Sequence, residues 1–240
     1  MAHANLQPVS WYRDVPDVVR YGTAWYRRCA RAGGDAVSTA LAHTDPTGPQ
    51  GFRTRLLDGL TRAIEERGYR DTTVADIVRN AKTSKRTFYG EFDSKEECFL
   101  ALLRANNDAM ITGIVSAVEP EDDWHVQIRS AATAYVDHIA SRPAVTLSWI
   151  REAPALGAAA LPLHRLAMGD LTNMLVDLTD SPGFRRANLP PISRPLALIL
   201  LGGLRELTAL SVEDGSDLRL ILEPAVVAAT AILGPRISSA

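Results

Sequence analysis

The chain has 240 residues, of which 46% are hydrophobic and 22% charged, and its formal net charge is −2. This length allows one large domain or two small ones with a sizeable core, and the near-neutral charge excludes a uniform polycation. The two cysteines and five histidines show no metal-ligand spacing, so no metal site is expected.

Ala, Leu and Arg dominate the composition, whereas alternating β-branched runs are scarce. This favours an all-α fold. The N-terminus lacks the apolar run of a signal peptide, and the longest apolar run, residues 196–204, is too short to cross a bilayer. We therefore expect a soluble cytoplasmic protein without a membrane span.

Residues 1–50 are predicted to form an N-terminal extension. Apolar positions such as Val18 and Trp25 share one helical face with arginines opposite them, and a Gly- and Pro-rich linker follows. Such an amphipathic Arg-rich helix has three interpretations. Packing on its own protein is favoured over a basic arm for nucleic acid and over a helix lying on a membrane surface.

Residues 51–110 are predicted to form a compact helical head. Leu56, Leu60 and Ile64 recur at helical spacing, and Gly68 is placed to end their helix. This first helix should pack across the two short helices that follow and complete a three-helix unit.

The two short helices are joined by a tight turn, which makes a helix-turn-helix. Thr73 is placed to cap the first helix and Ser84 the second, whose inward anchor is Phe88. Ser94 with Glu97 reads as a capping box that opens a longer helix, which is expected to reach about residue 118. A helix-turn-helix presents its second helix to the major groove of DNA.

Charge is unevenly distributed along the chain. Residues 51–106 contain 11 basic and 9 acidic side chains, whereas residues 107–240 contain 10 basic and 15 acidic ones. The only three lysines, Lys82, Lys85 and Lys95, all lie in the helix-turn-helix segment. Coincidence in a small sample is one explanation; the favoured one is placement of compact cations against phosphates.

The helix-turn-helix segment resembles the DNA-binding domain of the TetR family of bacterial transcription regulators, from about residue 51 to 109. The matching positions are Thr73, Ile77, Ala81-Lys82-Thr83-Ser84, Lys85, Thr87-Phe88-Tyr89, Phe92 and Ser94-Lys95-Glu96-Glu97. The sequence departs from the family at Lys82, which replaces the usual glycine of the turn. If that position needs a positive φ, lysine incurs a strain that glycine would not.

The resemblance implies a homodimer that binds an inverted-repeat operator in double-stranded DNA, with repression as the expected effect. Lys85 and Arg86 are predicted to contact base edges or nearby phosphates, and Thr73, Tyr89 and Lys95 to contact the backbone. The predicted DNA-binding residues are Thr73, Lys82, Ser84, Lys85, Arg86, Thr87, Tyr89 and Lys95.

Residues 111–240 are predicted to form a larger helical domain for effector binding and dimerisation. Helices are expected over 124–141, 145–152, 161–178, 195–211 and 217–233. The last two should be joined by a turn at Asp214-Gly215, and Pro224 should kink the final helix or mark its start.

The last helix pair is the predicted dimer interface. Residues 195–211 are apolar on more than one face, and a Gly-Gly pair inside a helix permits close approach of another helix. The alternative is that this pair is ordinary core, and the family resemblance favours the interface. The predicted interface residues are Ile199, Gly202, Gly203, Leu222 and Val226.

The resemblance also implies a pocket for an apolar small-molecule effector among the middle helices. Its candidate lining residues are Tyr135, His138, Trp149, Met168 and Met174. Each of them also fits an ordinary packing role. The rival hypothesis is a DNA-binding dimer without such an effector, regulated by a protein partner or by its own abundance. No catalytic motif, metal site or cofactor site is predicted, so an enzyme is not expected.

Overall fold

The computed structural model describes residues 49–235, which are all-α, with ten α-helices, two short 3-10 helices and no strand within that range. The α-helices are α1 (Pro49–Asp71), α2 (Val74–Asn80), α3 (Lys85–Glu91), α4 (Lys95–Ala117), α5 (Trp124–Ser141), α6 (Pro143–Arg151), α7 (Leu161–Thr179), α8 (Pro182–Arg186), α9 (Arg194–Glu213) and α10 (Leu222–Leu233). The 3-10 helices are Ala153–Ala159 and Leu218–Ile221. The predicted Arg-rich helix and most of its linker lie outside the described residues.

The head consists of α1, α2, α3 and the first turns of α4 around one core. Leu56, Leu60, Phe88 and Phe99 are completely buried there. The backbone of α1 leaves helical geometry at Gly68, with φ 79°, at the position where the sequence predicts the end of this helix. The non-helical backbone at Gly68 turns the chain towards α2.

The helical domain surrounds α5. The C-terminal half of α4 packs on α7 through Ile111, Ile114 and Leu171. The other side of α5 packs against α9, α10 and the second 3-10 helix, in clusters that include Trp124 and Ile139. α4 runs unbroken across the predicted boundary between residues 110 and 111, so a single helix belongs to both the head and the helical domain.

Most of the predicted helix ends lie within a few residues of those in the structure. α4 ends at Ala117, α9 is capped at Asp214, and Pro224 stands in the first turn of α10 and marks its start. α8 and the 3-10 helix Ala153–Ala159 were not among the predicted helices.

α9 is the one helix in the described range that is long and apolar enough to cross a membrane by length and composition. The uninterrupted apolar run, residues 196–204, is shorter than the 20-residue helix that contains it, so the run alone does not predict such a span. In the folded chain α9 packs on α6 and α7, and its remaining apolar face is exposed.

Candidate nucleic-acid interface and ligand cavity

The start of α2 is fixed by a complete capping box. The Thr73 hydroxyl accepts a hydrogen bond from the Asp76 N–H, and the Asp76 carboxylate accepts from the Thr73 N–H at 3.0 Å. The Asp76 side chain is nearly buried and also pairs with Arg79 at 2.9 Å and with Arg67 at 3.5 Å. The hydrogen bonds from Thr73, followed by these arginines, lower the pKa of Asp76 to about 2. The carboxylate therefore stays ionised and holds α2 in place at neutral pH.

The turn between α2 and α3 has a left-handed residue at Lys82, with φ 51°. Strain is predicted at this position if its φ is positive, and the structure gives Lys82 a positive φ. The Lys82 side chain is exposed and makes no hydrogen bond or ion pair with any other described residue. A strained residue that directs a free cation to solvent is a common feature of functional sites.

α3 exposes most of its side chains to solvent. Its single fully buried side chain, Phe88, anchors it to the core, while Lys85, Arg86 and Tyr89 are exposed. Tyr89 is 57% exposed and meets Phe88 edge-on, with ring centroids 5.3 Å apart. Within residues 49–235 neither Lys85 nor Arg86 has an ionic or hydrogen-bonded partner, so their charges are available to a ligand outside the chain.

The hydroxyl groups that are predicted to contact DNA already form hydrogen bonds within the head. Ser84 caps α3, accepting from the Thr87 N–H at 3.1 Å, and the two hydroxyls lie 2.9 Å apart. The Thr73 hydroxyl likewise bonds to Asp76 at 2.7 Å. Thr73 lies at the start of α2, whereas Ser84 and Thr87 lie at the start of α3. Each hydroxyl keeps a free lone pair or proton for a further bond.

Lys95 is placed differently from the sequence prediction. Its ammonium donates to the carbonyl oxygens of Tyr69 at 3.1 Å, Arg70 at 3.4 Å and Thr72 at 2.9 Å. It also lies 4.4 Å from the centroid of the Tyr69 ring. An ammonium has three N–H donors, so all are occupied by the corner between α1 and α2. In this structure Lys95 joins α4 to that corner rather than offering a donor to a phosphate.

The helical domain contains an internal cavity of about 150 Å³. Four of the five predicted effector residues line it, namely Tyr135, Trp149, Met168 and Met174. The fifth, His138, is half-buried on α5 and does not line it. Burial lowers the pKa of His138, with a smaller contribution from Arg142, so this residue is a neutral part of the packing beside the cavity.

The cavity wall is mostly apolar but contains polar atoms with unmet hydrogen-bonding capacity. The side-chain oxygens of Asn106 and Thr146 are buried in the wall and have no hydrogen-bond partner among the described residues. The Tyr135 hydroxyl, by contrast, bonds to Thr208 at 2.7 Å. Arg205 also lines the cavity, and burial is the main cause of its lowered pKa. An unpaired buried polar atom is costly unless a ligand or water meets it.

The predicted dimer residues fall into two groups. On α9, Ile199 is 63% exposed, and Gly202 and Gly203 have open space where a Cβ would stand. On α10, Leu222 and Val226 are half-buried and pack against the subunit's own core. The outward apolar residues that sequence reasoning missed are Leu210, Leu220 and Val227.

Within residues 49–235, no group of three or more His, Cys, Asp or Glu side chains is placed to hold a metal ion. The single cysteine of that range, Cys98, is completely buried in the head, and burial raises the pKa of its thiol to about 12. Its environment is that of a core residue.

A match to a known protein family falls within the head. The family described as bacterial regulatory proteins, tetR family, matches residues 56–102. FasR, a transcriptional activator of Mycolicibacterium smegmatis, is 31% identical over 87 residues, covering 36% of this chain and 40% of FasR. KstR2, a transcriptional repressor of Rhodococcus jostii, is 34% identical over 104 residues, covering 43% of this chain and 51% of KstR2. The head is therefore similar to the TetR family of bacterial regulatory proteins.

Solved structures extend the TetR likeness from the head to the whole described fold. FadR from Bacillus halodurans superposes with a TM-score of 0.62 at 19% identity, over 78% of this chain and 96% of that one. FadR from Bacillus subtilis, solved with stearoyl-CoA, has a TM-score of 0.64 at 13% identity, over 77% of this chain and 99% of that one. These likenesses show a common all-α TetR fold. The matches to FasR and KstR2, however, span about half or less of those regulators.

Proposed function

We propose that this chain is a cytoplasmic transcription regulator of the TetR family that binds double-stranded DNA through α3. The observation that carries the proposal is the outward face of α3 and its preceding turn, where Lys82, Lys85, Arg86 and Tyr89 are exposed. Phosphate neutralisation by lysine supplies affinity that does not depend on sequence, and arginine reads guanine through a bidentate hydrogen bond. The proposal assigns no catalytic role to any residue.

The operator is proposed to be an inverted repeat bound by a homodimer. Ile199 and Leu210 on α9, Leu220 on the second 3-10 helix and Val227 on α10 are large apolar side chains that are exposed in the subunit. Exposed apolar side chains of this kind often mark a protein–protein interface. The open positions at Gly202 and Gly203 let a second helix approach closely. A two-fold dimer requires a palindromic site, because operator symmetry follows protein symmetry.

A small molecule is proposed to occupy the cavity and lower the DNA affinity. The cavity of about 150 Å³ and its unpaired Asn106 and Thr146 oxygens favour this hypothesis over a regulator without an effector, which would need only a filled core. The stearoyl-CoA complex of Bacillus subtilis FadR shows that a protein of this fold binds a ligand with a long apolar chain. Apolar compounds are screened for a shift in the melting temperature of the protein. If none causes a shift, the hypothesis of a regulator without an effector is favoured.

Repression is the proposed effect on transcription. The two relatives differ in this respect, since FasR is an activator and KstR2 a repressor. Transcription in vitro from a promoter that carries the bound palindrome decides the sign, because a repressor lowers the transcript yield as protein is added.

The DNA-binding proposal is tested with fragments of the source genome selected by the purified protein. The selected site should bind far more tightly than random duplex. Arg86→Ala should cost about 1–3 kcal/mol at the selected site and relax the preference at one base pair, if Arg86 pairs with guanine. Arg165→Ala, which removes an exposed arginine from α7 of the helical domain, is the matched control and should leave binding unchanged. Equal affinity of the wild type for the selected site and random DNA would refute sequence-specific recognition.

A further inference from the structure

A second cavity adjoins the first. It has a volume of about 360 Å³ and lies between α4, α6, the 3-10 helix Ala153–Ala159 and the start of α7. Leu103 and Trp149 line both cavities and therefore form the wall between them. We call the cavity of about 150 Å³ the inner cavity and the cavity of about 360 Å³ the outer cavity.

The size of the inner cavity argues that it is not the complete site. An apolar cavity of roughly 150 Å³ holds a molecule the size of benzene, so the inner cavity by itself accepts a short body. Sites for small organic ligands occupy roughly 300–1,000 Å³. The outer cavity alone, at about 360 Å³, is at the lower end of that range. The inner cavity falls below that range by itself and enters it only when it is joined to the outer cavity.

We propose that Trp149 is a movable partition, and that the two cavities form one channel for an elongated, mostly apolar molecule with one hydrogen-bonding group. This inference rests on the proposed ligand-responsive function and names its ligand class. Trp149 is only half-buried, and its ring stands between two empty spaces, so it has room to change rotamer. A tryptophan packed on all sides would not have that freedom.

The polar atoms near the partition indicate where the hydrogen-bonding group lies. Asn106 and Thr146, whose side-chain oxygens are unpaired, stand one helical turn from Leu103 and Trp149 respectively. Arg205 lines the inner cavity and His164 the outer one. Burial, and then the charge of Arg205, lowers the pKa of His164, so this imidazole is neutral and Arg205 carries the local positive charge. A carboxylate near the partition would therefore be favoured over a neutral hydroxyl.

The partition is also connected to the head. Trp149, Ala153 and Leu163 pack against the buried core that contains Phe88 and Phe99. The residue that follows α6, Glu152, accepts a hydrogen bond from Arg70 of α1 at 2.6 Å. A ligand that moves Trp149 would thus remove packing from the head's core, which gives the ligand a physical route to the DNA-binding helix.

The channel is tested by calorimetric titration of the full chain with hexanoate, decanoate and hexadecanoate. Each buried methylene adds about 0.8 kcal/mol, which is roughly a fourfold gain in affinity. Affinity should therefore keep rising beyond the length that fills the inner cavity. Hexadecanol, the neutral counterpart of hexadecanoate, should bind several-fold more weakly if Arg205 meets the carboxylate.

Two variants separate the cavities. Ala160→Phe fills the outer cavity, so it should remove the extra affinity of hexadecanoate and leave hexanoate unchanged. Its neighbour Ala159 is exposed and lines neither cavity, so Ala159→Phe is the matched control and should bind as the wild type. Trp149→Ala removes the partition and should strengthen hexadecanoate binding about tenfold with little effect on hexanoate. This second variant keeps the test decisive if Ala160→Phe does not fold.

Two results would overturn the channel: affinity that levels off at hexanoate, or Trp149→Ala that leaves the chain-length dependence unchanged. Neither result bears on DNA binding. Conversely, length-dependent binding in a protein with no preference for any duplex would support the channel and refute the proposed function. The two proposals therefore fail separately.

Discussion

The turn residue Lys82 combines two properties that are usually found apart. Its left-handed backbone, with φ 51°, is a conformation that suits glycine, yet its side chain gives the turn a free positive charge. An L-residue in this conformation costs about 1–2 kcal/mol. Lysine remains at this strained position, at the edge of the proposed DNA surface, because its ammonium group would strengthen contact with phosphate.

Lys82→Gly should therefore stabilise the chain and weaken its DNA binding. Relief of the strain, less the roughly 0.5–1 kcal/mol of backbone entropy that glycine loses on folding, leaves a net gain of about 0.5–1 kcal/mol. A thermal melt should show this as a rise of about 1–4 °C. The slope of log affinity against log salt should fall by about one unit, since one phosphate contact is lost.

Lys82→Asn is the control, because asparagine tolerates the left-handed region and also removes the charge. It should match Lys82→Gly in its salt slope. A melting temperature that falls in Lys82→Gly would contradict the strain argument.

At single residues, sequence reasoning succeeded where the cause is local. The condition for strain at Lys82, the cap at Thr73 and the break at Gly68 follow from neighbours within a few positions. It did not predict the partners of Lys95 within the head, since the carbonyl oxygens that bind this ammonium lie more than 20 residues earlier in the chain. Nothing in the local pattern distinguishes an ammonium that faces a phosphate from one that faces a helix end.

At the scale of helices, the contact between α1 and α2 depends on one glycine. A Cβ built on Gly59 would lie 2.6 Å from the Ile77 carbonyl oxygen and 2.9 Å from the Ala81 Cβ. Both neighbours are held by helix backbone, so neither has a flexible end that could yield. This close approach positions α2, and through the turn it positions α3.

Gly59→Ala should destabilise the head by about 1–3 kcal/mol, the usual cost of overpacking. It should also reduce DNA binding by more than the lost stability explains, because α3 shifts with α2. Gly113→Ala is the matched control, since Gly113 lies in α4 with no atom within 4 Å of an added Cβ. That change should be neutral or stabilising by up to about 1 kcal/mol. Chemical denaturation of both variants measures the difference, and equal stabilities would count against the tight contact.

Helix prediction from the sequence was good where an apolar stripe repeats over several turns, as in α4 and α5. It missed α8 and the 3-10 helix Ala153–Ala159, because five to seven residues of Pro, Gly and Ala give no periodic stripe. α8 is instead held by tertiary contact: an added Cβ on Gly183 would lie 2.0 Å from the Asp122 carbonyl oxygen. The orientation of His138 and Val226 likewise depends on neighbours that the sequence pattern does not identify.

For the whole molecule, the proposed dimer explains why α9 is so apolar. Gly203 has open space around it within the subunit, so Gly203→Arg should not disturb the fold of a single chain. In a dimer the same arginine would enter an apolar helix contact and leave a charge buried without a partner. Sedimentation equilibrium should therefore show monomers that have lost operator binding.

Gly113→Arg places the same side chain at an exposed glycine of α4 and serves as the control. It should remain dimeric and bind DNA. A Gly203→Arg protein that sediments as a dimer with full operator affinity would rule out this interface.

The continuity of α4 has a consequence in simple geometry. Its 23 residues, from Lys95 in the head to Ala117 beside the cavity, span about 35 Å at about 1.5 Å per residue. For a rigid rod of that length, a tilt of about five degrees at one end moves the other by about 3 Å, roughly the rise of one base pair. In a dimer, opposite tilts of the two rods would change the distance between the recognition helices by about twice that amount. A tilt of only a few degrees at the cavity would then put two heads out of register with successive major grooves.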